Sequence, residues 1–481
     1  MSVPARRDSP PEREHGRAAG TGRAAPPRRD GEGPSREEPT GEERTTPSRS
    51  SPEREDIEES FQGDRPFAPG TIRAALSYPK YRIFAGGLFA SMIGTWMQSV
   101  ALGALAYDLT RDPRFVAGLE FVRLVPMLVL SLVGGAIADL YDRRRIMVIT
   151  QSAMLAVAIA LAVMARTDSL RPAMLLGLVG LLGIANALGH PAQATMIPHL
   201  VSREDLGGAV ALQSTQMNLS RVIGPAIGGL ILPLVTIAGV FLLNASTYLL
   251  FIVVLYLVPR PPLPVRPEGG ERRVLGGFLA ARDDPLVGRI LLTMTALSLL
   301  ALPFVGLLPV LAAENLGLDL TGDPAYGFLY ASFGVGAAAG ALSVGTWLAG
   351  RPRHLAVRLS MAGWSVTLAA WGLNRSVPLA FPLAVVVGFL YFVTVTSLNT
   401  MIQEQVDDAV RGRVMALWIM AWGGTVPFGL MIGGQIAAAT NMTVVTLYGA
   451  VVLAVLAAFT TLDPARIRSR HRIAPGTAPA R

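Results

Sequence analysis

From residue 83 onward the chain alternates long apolar runs with short polar breaks. A membrane-spanning helix needs about 20 mostly apolar residues. Runs of that size stand at 83–106, 114–138, 146–165, 173–195, 208–233 and 236–258. Six more stand at 286–312, 326–349, 355–374, 377–399, 413–437 and 441–461. The pattern predicts an all-α membrane protein of twelve transmembrane helices. An even count puts both termini on one side.

The second six runs echo the first. "TMIPHLV" begins at Thr195 and "TMIQEQV" at Thr400, and residues 194–229 laid on 399–434 agree at 11 of 36 positions. The shared letters include Gly207/Gly412, Gly224/Gly429, Gly228/Gly433 and Gly229/Gly434. A repeat at a fixed offset describes architecture. It predicts two pseudo-symmetric six-helix halves, 66–258 and 286–462, joined by a cytoplasmic linker at 259–285. The linker's "RRVLGGFLAARDD" segment has the pattern of a short amphipathic helix on the membrane surface.

Composition agrees with a membrane chain. Of 481 residues 51% are hydrophobic and 16% charged, with mean hydropathy +0.44, too apolar for a soluble protein of this length. Residues 1–65 differ, with 12 Arg against 15 Asp/Glu and little that is apolar. Such a segment cannot offset its ordering entropy, so a disordered cytoplasmic tail is expected. Residues 463–481 form a second, basic cytoplasmic tail.

Charge sets the topology. With the N-terminus inside, 35 basic residues fall in the tails and inward loops, five in outward loops and two deep in spans. Positive-inside bias of that size orients the bundle with both termini cytoplasmic. The net charge of +8 therefore reflects topology, and no nucleic-acid module appears. There is no cysteine, and the five histidines lack ligand spacing. No metal, no cofactor and no enzyme chemistry is expected.

The motifs carry a resemblance. "GGAIADLYDRRR" between spans 2 and 3 is similar to the signature loop of the major facilitator superfamily, with Gly135, Asp139, Arg143, Arg144 and Arg145 on the pattern. Leu140 and Asp142 depart from it. "RVIGPAIGG" in span 5, with Gly224, Pro225, Gly228 and Gly229, resembles the Gly-Pro motif of its antiporter branch. "GTWMQSVALGALAYDLT", "HPAQATMIPHLV" and "DDAVRGRVMALW" resemble the bacterial exporter group that includes the enterobactin exporter. The six-plus-six plan is that superfamily's as well. It implies a secondary transporter of the bacterial inner membrane, here one exporting a drug-like compound or siderophore in exchange for protons.

The physics of the motif residues points the same way. Glycines in span 5 let another backbone approach, and Pro225 frees a carbonyl. The arginines after Asp139 can pair with Glu404, Asp407 and Asp408 across the halves, with Gly412 and Arg413 opening span 11, as an inner gate. Their plain alternative is a set of topology determinants.

Three charges lie deep within spans: Glu120, Arg123 and Arg221. Each costs roughly 2.5–3.5 kcal/mol at the bilayer centre unless paired or wetted. Glu120 and Arg123 share a helical face, and Arg221 continues a stripe with Ser214 and Asn218. Three readings stand: Glu120 exchanges a proton while an arginine tunes it or meets an anionic group, a static ion pair holds spans 2 and 5, or Glu120 is simply exposed at the outer mouth. The resemblance implies that spans 1, 4, 7 and 10 line the substrate cavity. Its candidates are Trp96, Gln98, Asn186, His190, Gln193, Asn218, Tyr391, Thr394 and Asn399, with Trp418 and Trp422 in span 11.

The expected partners are the lipid bilayer, a small organic substrate and protons, with the chain a monomer. Two alternatives stay open: a lipid transporter or uniporter, and a non-transporting membrane sensor or scaffold.

Overall fold

Each apolar run becomes a helix, and proline and aspartate start most of them. Pro79, Pro113, Pro172, Pro285 and Pro324 occupy first turns, where a missing N–H costs nothing. Asp112, Asp142, Asp284, Asp323 and Asn441 accept from the first exposed N–H groups. The computed structural model describes residues 67–260, 284–406 and 408–463, without the side chains of 131, 132, 139 and 408–413. The expected tails, linker helix and Asp407 lie outside those residues.

Spans 1 to 4 are Pro79–Thr110, Pro113–Leu140, Arg143–Arg166 and Pro172–Met196. Spans 5 and 6 share one unbroken stretch, Leu206–Leu257, reversing at Thr236 with φ 64° and ψ 168°. Spans 8, 9, 10 and 12 are Pro324–Gly345, Arg353–Leu373, Val377–Gln405 and Met442–Phe459. Spans 7 and 11 are interrupted. A π-helical turn, Leu297–Ala301, breaks span 7 after Pro285–Ala296, and it resumes as Pro303–Gly306 and Leu308–Leu316. Span 11 runs Asp408–Ile419, a π-helical turn at Met420–Gly424, then Val426–Ala439. Both π turns fall in the C-terminal half, and the equivalent spans 1 and 5 have none, so the halves differ here; π turns recur at functional sites. The chain is an all-helical, twelve-span membrane bundle, and no strand occurs among the described residues. Leu234, Leu292, Val366 and Phe459 are largely exposed on its outer faces, as a lipid solvent requires.

The two halves meet chiefly through four spans, 2 on 11 and 5 on 8. Span 5's glycines divide this work. Gly224 and Gly228 lie against span 1 at Ile93, Trp96 and Met97, while Gly229 lies backbone to backbone on Gly327 of span 8. Span 11 mirrors the arrangement. Gly429 and Gly433 lie against span 7 at Ser298, Leu299 and Pro303, and Gly434 meets Pro113 and Ala117 of span 2. Where span 5 has buried Pro225, span 11 has Leu430 against Gly306. The repeated letters are therefore a contact surface built twice.

These crossings cluster at the end of the bundle away from the arginine-rich loops. There Gly103 of span 1 abuts Pro309 of span 7. The Tyr326 hydroxyl donates to the Val100 carbonyl at 3.3 Å, and Tyr107 donates to Glu314 at 3.3 Å. Glu314 also accepts the Met442 N–H heading span 12, at 3.2 Å.

Candidate substrate cavity and gates

Span 4 shows how the interior changes along the bundle. Leu175 and Val179 are wholly buried, whereas Asn186 and His190, on the same face two to three turns on, are exposed. Asn186, His190 and Gln193 line a recess with Thr150 and Gln151 of span 3. In span 5, Ser214 and Asn218 are exposed, Asn218 donating to the Ser214 carbonyl at 3.0 Å. The interior is packed at one end and polar and open toward the arginine-rich end.

Arg221 sits where the packed and open parts meet. Its guanidinium carbon lies 5.5 Å from the Trp96 ring centroid and 4.6 Å from that of Trp422. The first indole comes from the N-terminal half and the second from the π turn of span 11. Tyr391 is within electrostatic reach. A guanidinium over indole faces is a favourable cation–π arrangement.

Glu120 and Arg123 form an ion pair, with Arg123 Nη2 2.5 Å and Nε 3.0 Å from Glu120 Oε2. Both residues belong to span 2, so the pair does not join spans 2 and 5 as the static alternative had it. Its surroundings include Tyr326 and Tyr330 of span 8, across the interface.

Three cavity candidates face elsewhere. Gln98 is buried and accepts from Asn244 of span 6 at 2.6 Å. Thr394 is fully buried and shares a 2.8 Å hydrogen bond with Ser360 of span 9. Trp418 is buried in the helix-packing core. Trp422, inside the π turn, lies instead against Arg221. Tyr391 is mostly inside an aromatic cluster with Phe333, Trp364 and Phe392. Asn399 is half-buried and paired with Gln403 in its own helix.

The expected inner gate is also wired differently. Glu404 makes a two-pronged pair with Arg353 of span 9, at 2.7 to 3.0 Å, rather than with the arginines after span 2. Arg143 contacts His199. Arg144 reaches the Val258 carbonyl at 3.4 Å and lies 4.8 Å from the Tyr256 ring centroid. Arg145 is exposed. Each of these contacts stays within one half. The reason is geometric: with the halves meeting at the opposite end, charges here find neighbours on their own side. Gly135 has open space where a Cβ would stand. The side chains of Asp139, Asp408 and Arg413 lie outside the described residues, as does Asp407.

Two clusters had no sequence signal. Glu314 and Tyr107 are 207 positions apart and meet only in the folded bundle. Asp205, 4% exposed, accepts from the Gly70 N–H and the Tyr78 hydroxyl, both at 2.9 Å, and from Ser202 at 3.2 Å. It ties the helix Ile72–Ser77 to the loop before span 5.

Two six-span halves meeting at one end, with a polar interior open toward the other, are the build of a major facilitator transporter, a transport protein rather than an enzyme. Residues 71–472 match the family described as transmembrane secretion effector, and the chain belongs to that family. It is 30% identical over 345 residues to enterobactin exporter EntS of Shigella boydii serotype 4, covering 71% of this chain and 81% of that one. The same figures hold for the protein of that name from Escherichia coli O139:H28. Among solved structures, a bacterial homologue of the lysosomal transporter Spinster, inward-facing and unoccupied, superposes with TM-score 0.63 at 13% identity. That superposition covers 84% of this chain and 99% of the other. A bacterial homologue of ferroportin, also inward-facing, gives 0.60 at 14% identity over 79% and 98%.

Proposed function

We propose that the chain exports an organic solute across the bacterial inner membrane in exchange for protons, its halves rocking so that one end opens as the other closes. The observation that carries this reading is the asymmetry of the bundle. Glycine backbones and the Tyr107–Glu314 and Tyr326–Val100 bonds close one end, while polar faces on spans 4 and 5 stand open toward the other. The positive-inside bias makes the open end cytoplasmic and places both termini there. Solute would enter from the cytoplasm and leave once the periplasmic contacts part.

Glu120 is the residue assigned to proton exchange. Its partner Arg123 is three residues away on the same helix, and span 8 with Tyr326 and Tyr330 flanks the pair. Parting spans 2 and 8 would bring water to the carboxylate, and protonation would then release Arg123. Relatives named as enterobactin exporters make a siderophore the first solute to test, with drug-like compounds next.

The experiment uses inside-out vesicles with an acidified lumen and a fluorescent pH probe. Solute should dissipate the gradient with the unmodified chain and not with Glu120→Gln. Dissipation by both would leave antiport standing and reduce Glu120–Arg123 to a structural pair. Solute flux with no proton movement would overturn the coupling in favour of uniport.

A further inference from the structure

Arg221 is held without an anion. No carboxylate among the described residues pairs with it, and its Nε lies buried without a hydrogen-bond partner. The acid nearest in kind, Glu120, is committed to Arg123. Beside Arg221, the Trp422 indole N–H is buried too, with the Tyr391 hydroxyl as its neighbour. Two buried donors thus lie within one cation–π contact of each other, 4.6 Å from guanidinium carbon to ring centroid, and neither meets an anion.

A staple role alone does not account for this. Indole faces stabilise the charge of a guanidinium, yet they accept none of its in-plane N–H groups, and a buried donor left unmade is costly. Both groups are donors. The acceptor beside them, the Tyr391 hydroxyl, is neutral, whereas a negatively charged acceptor would satisfy Arg221 Nε and balance the buried cation. Trp96 and Trp422 supply flat apolar surfaces on either side, one from each half. Ser214 and Asn218 continue the polar stripe from Arg221 toward the open end.

We propose that Arg221 and the Trp422 indole N–H form an anion subsite between the halves, taking an aromatic acid whose ring lies against Trp96 and Trp422. This rests on the reading that an organic solute occupies the interior, and it assigns that solute a charge. Because Trp96 and Trp422 belong to opposite halves, a ligand there touches both sides of the moving interface. The preference is for organic anions over the lipophilic cations of many drug panels.

The test is equilibrium binding to the purified full chain in detergent, by calorimetry, with three probes of one shape. These are 2-naphthoate, 2-naphthylmethanol and 2-naphthylmethylammonium. The expected result is that naphthoate binds at least about tenfold more tightly than the other two, the size of one charge-assisted contact. Arg221→Gln should erase that preference, and Arg221→Lys, which keeps the charge, should keep part of it. Trp422→Phe, which keeps a ring and loses the N–H, should weaken naphthoate alone. A variant that elutes as a single species with an unchanged melting profile counts as folded.

Equal binding of the three probes, tighter binding of the ammonium, binding of none, or a naphthoate preference surviving Arg221→Gln would each overturn the subsite. The measurement involves no gradient. Failure of proton exchange in vesicles therefore leaves it untouched, and failure here leaves the transport reading standing.

Discussion

Gly229 and Gly327 touch backbone to backbone where spans 5 and 8 cross, and a Cβ on either would overlap the other's main chain. Gly229→Ala therefore cannot be accommodated by a side-chain turn. The helices must part, and parting them opens the end away from the arginine-rich loops, the periplasmic one in the proposed orientation. Overpacking of this kind costs roughly 1–3 kcal/mol, borne by the closed arrangement and relieved in the other. That difference shifts a two-state equilibrium about 5- to 150-fold toward the periplasm-open form. The chain has no cysteine, so a spin-label pair at Thr167 and Leu373, exposed at the ends of spans 3 and 9 away from the arginine-rich loops, needs no background changes. Its distance distribution should gain a longer component in Gly229→Ala and a dominant one in Gly229→Val. Gly434→Val, the equivalent position against Ala117, should do the same. Gly118→Ala, with open space at its Cβ, is the control and should change nothing. An unchanged distribution in both Gly229→Val and Gly434→Val would refute the idea that these glycines set the closed state.

Other outcomes follow from single contacts. Tyr107→Phe removes one 3.3 Å bond across the interface and should move the same equilibrium by about 0.5–1.5 kcal/mol. Glu314→Gln, which also weakens the bond to Met442 N–H, should move it further, read with the same label pair. Asp205→Ala removes the acceptor of the Gly70 N–H and one of the partners of the Tyr78 hydroxyl. It should cost about 2–4 kcal/mol of stability, seen as a lower melting temperature in detergent. Thr236→Gly relieves a φ of 64° that β-branched residues adopt at a cost, and should raise stability by about 1 kcal/mol.

The spans were legible because lipid allows a spanning segment little choice but a helix of about 20 apolar residues. The repeat was legible because both copies make the same contacts, Gly228 on span 1 and Gly433 on span 7. Which way a polar residue points was not. Gln98 and Thr394 look like cavity residues in a string of letters, yet each satisfies a buried partner, Asn244 or Ser360, on a neighbouring helix. Residue type says that a hydrogen bond is needed, and only the packing says with whom. Trp418 and Trp422 are four apart and look equivalent in the letters, but Trp418 is buried in the packing core while Trp422, in the π turn at Met420–Gly424, lies against Arg221. The partner of Glu404 depends on which end is open. A pairing across the halves and the observed one with Arg353 are both compatible with the letters. Arg221 was visible as a charge in a span, while its two indole neighbours come from residues 125 positions before it and 201 after it.

The claim at the centre is that the two ends of the bundle open in alternation. Distances at both ends of one otherwise unaltered chain test it most directly. One label pair is Leu257 and Trp347, both exposed toward the arginine-rich end, and the other is Thr167 and Leu373. Each pair is measured in lipid nanodiscs across a range of pH. The expected result is two populations in each pair whose weights change together and oppositely, the cytoplasmic distance shortening as the periplasmic one lengthens. Distances that stay single and fixed, or that lengthen and shorten together at both ends, would contradict it.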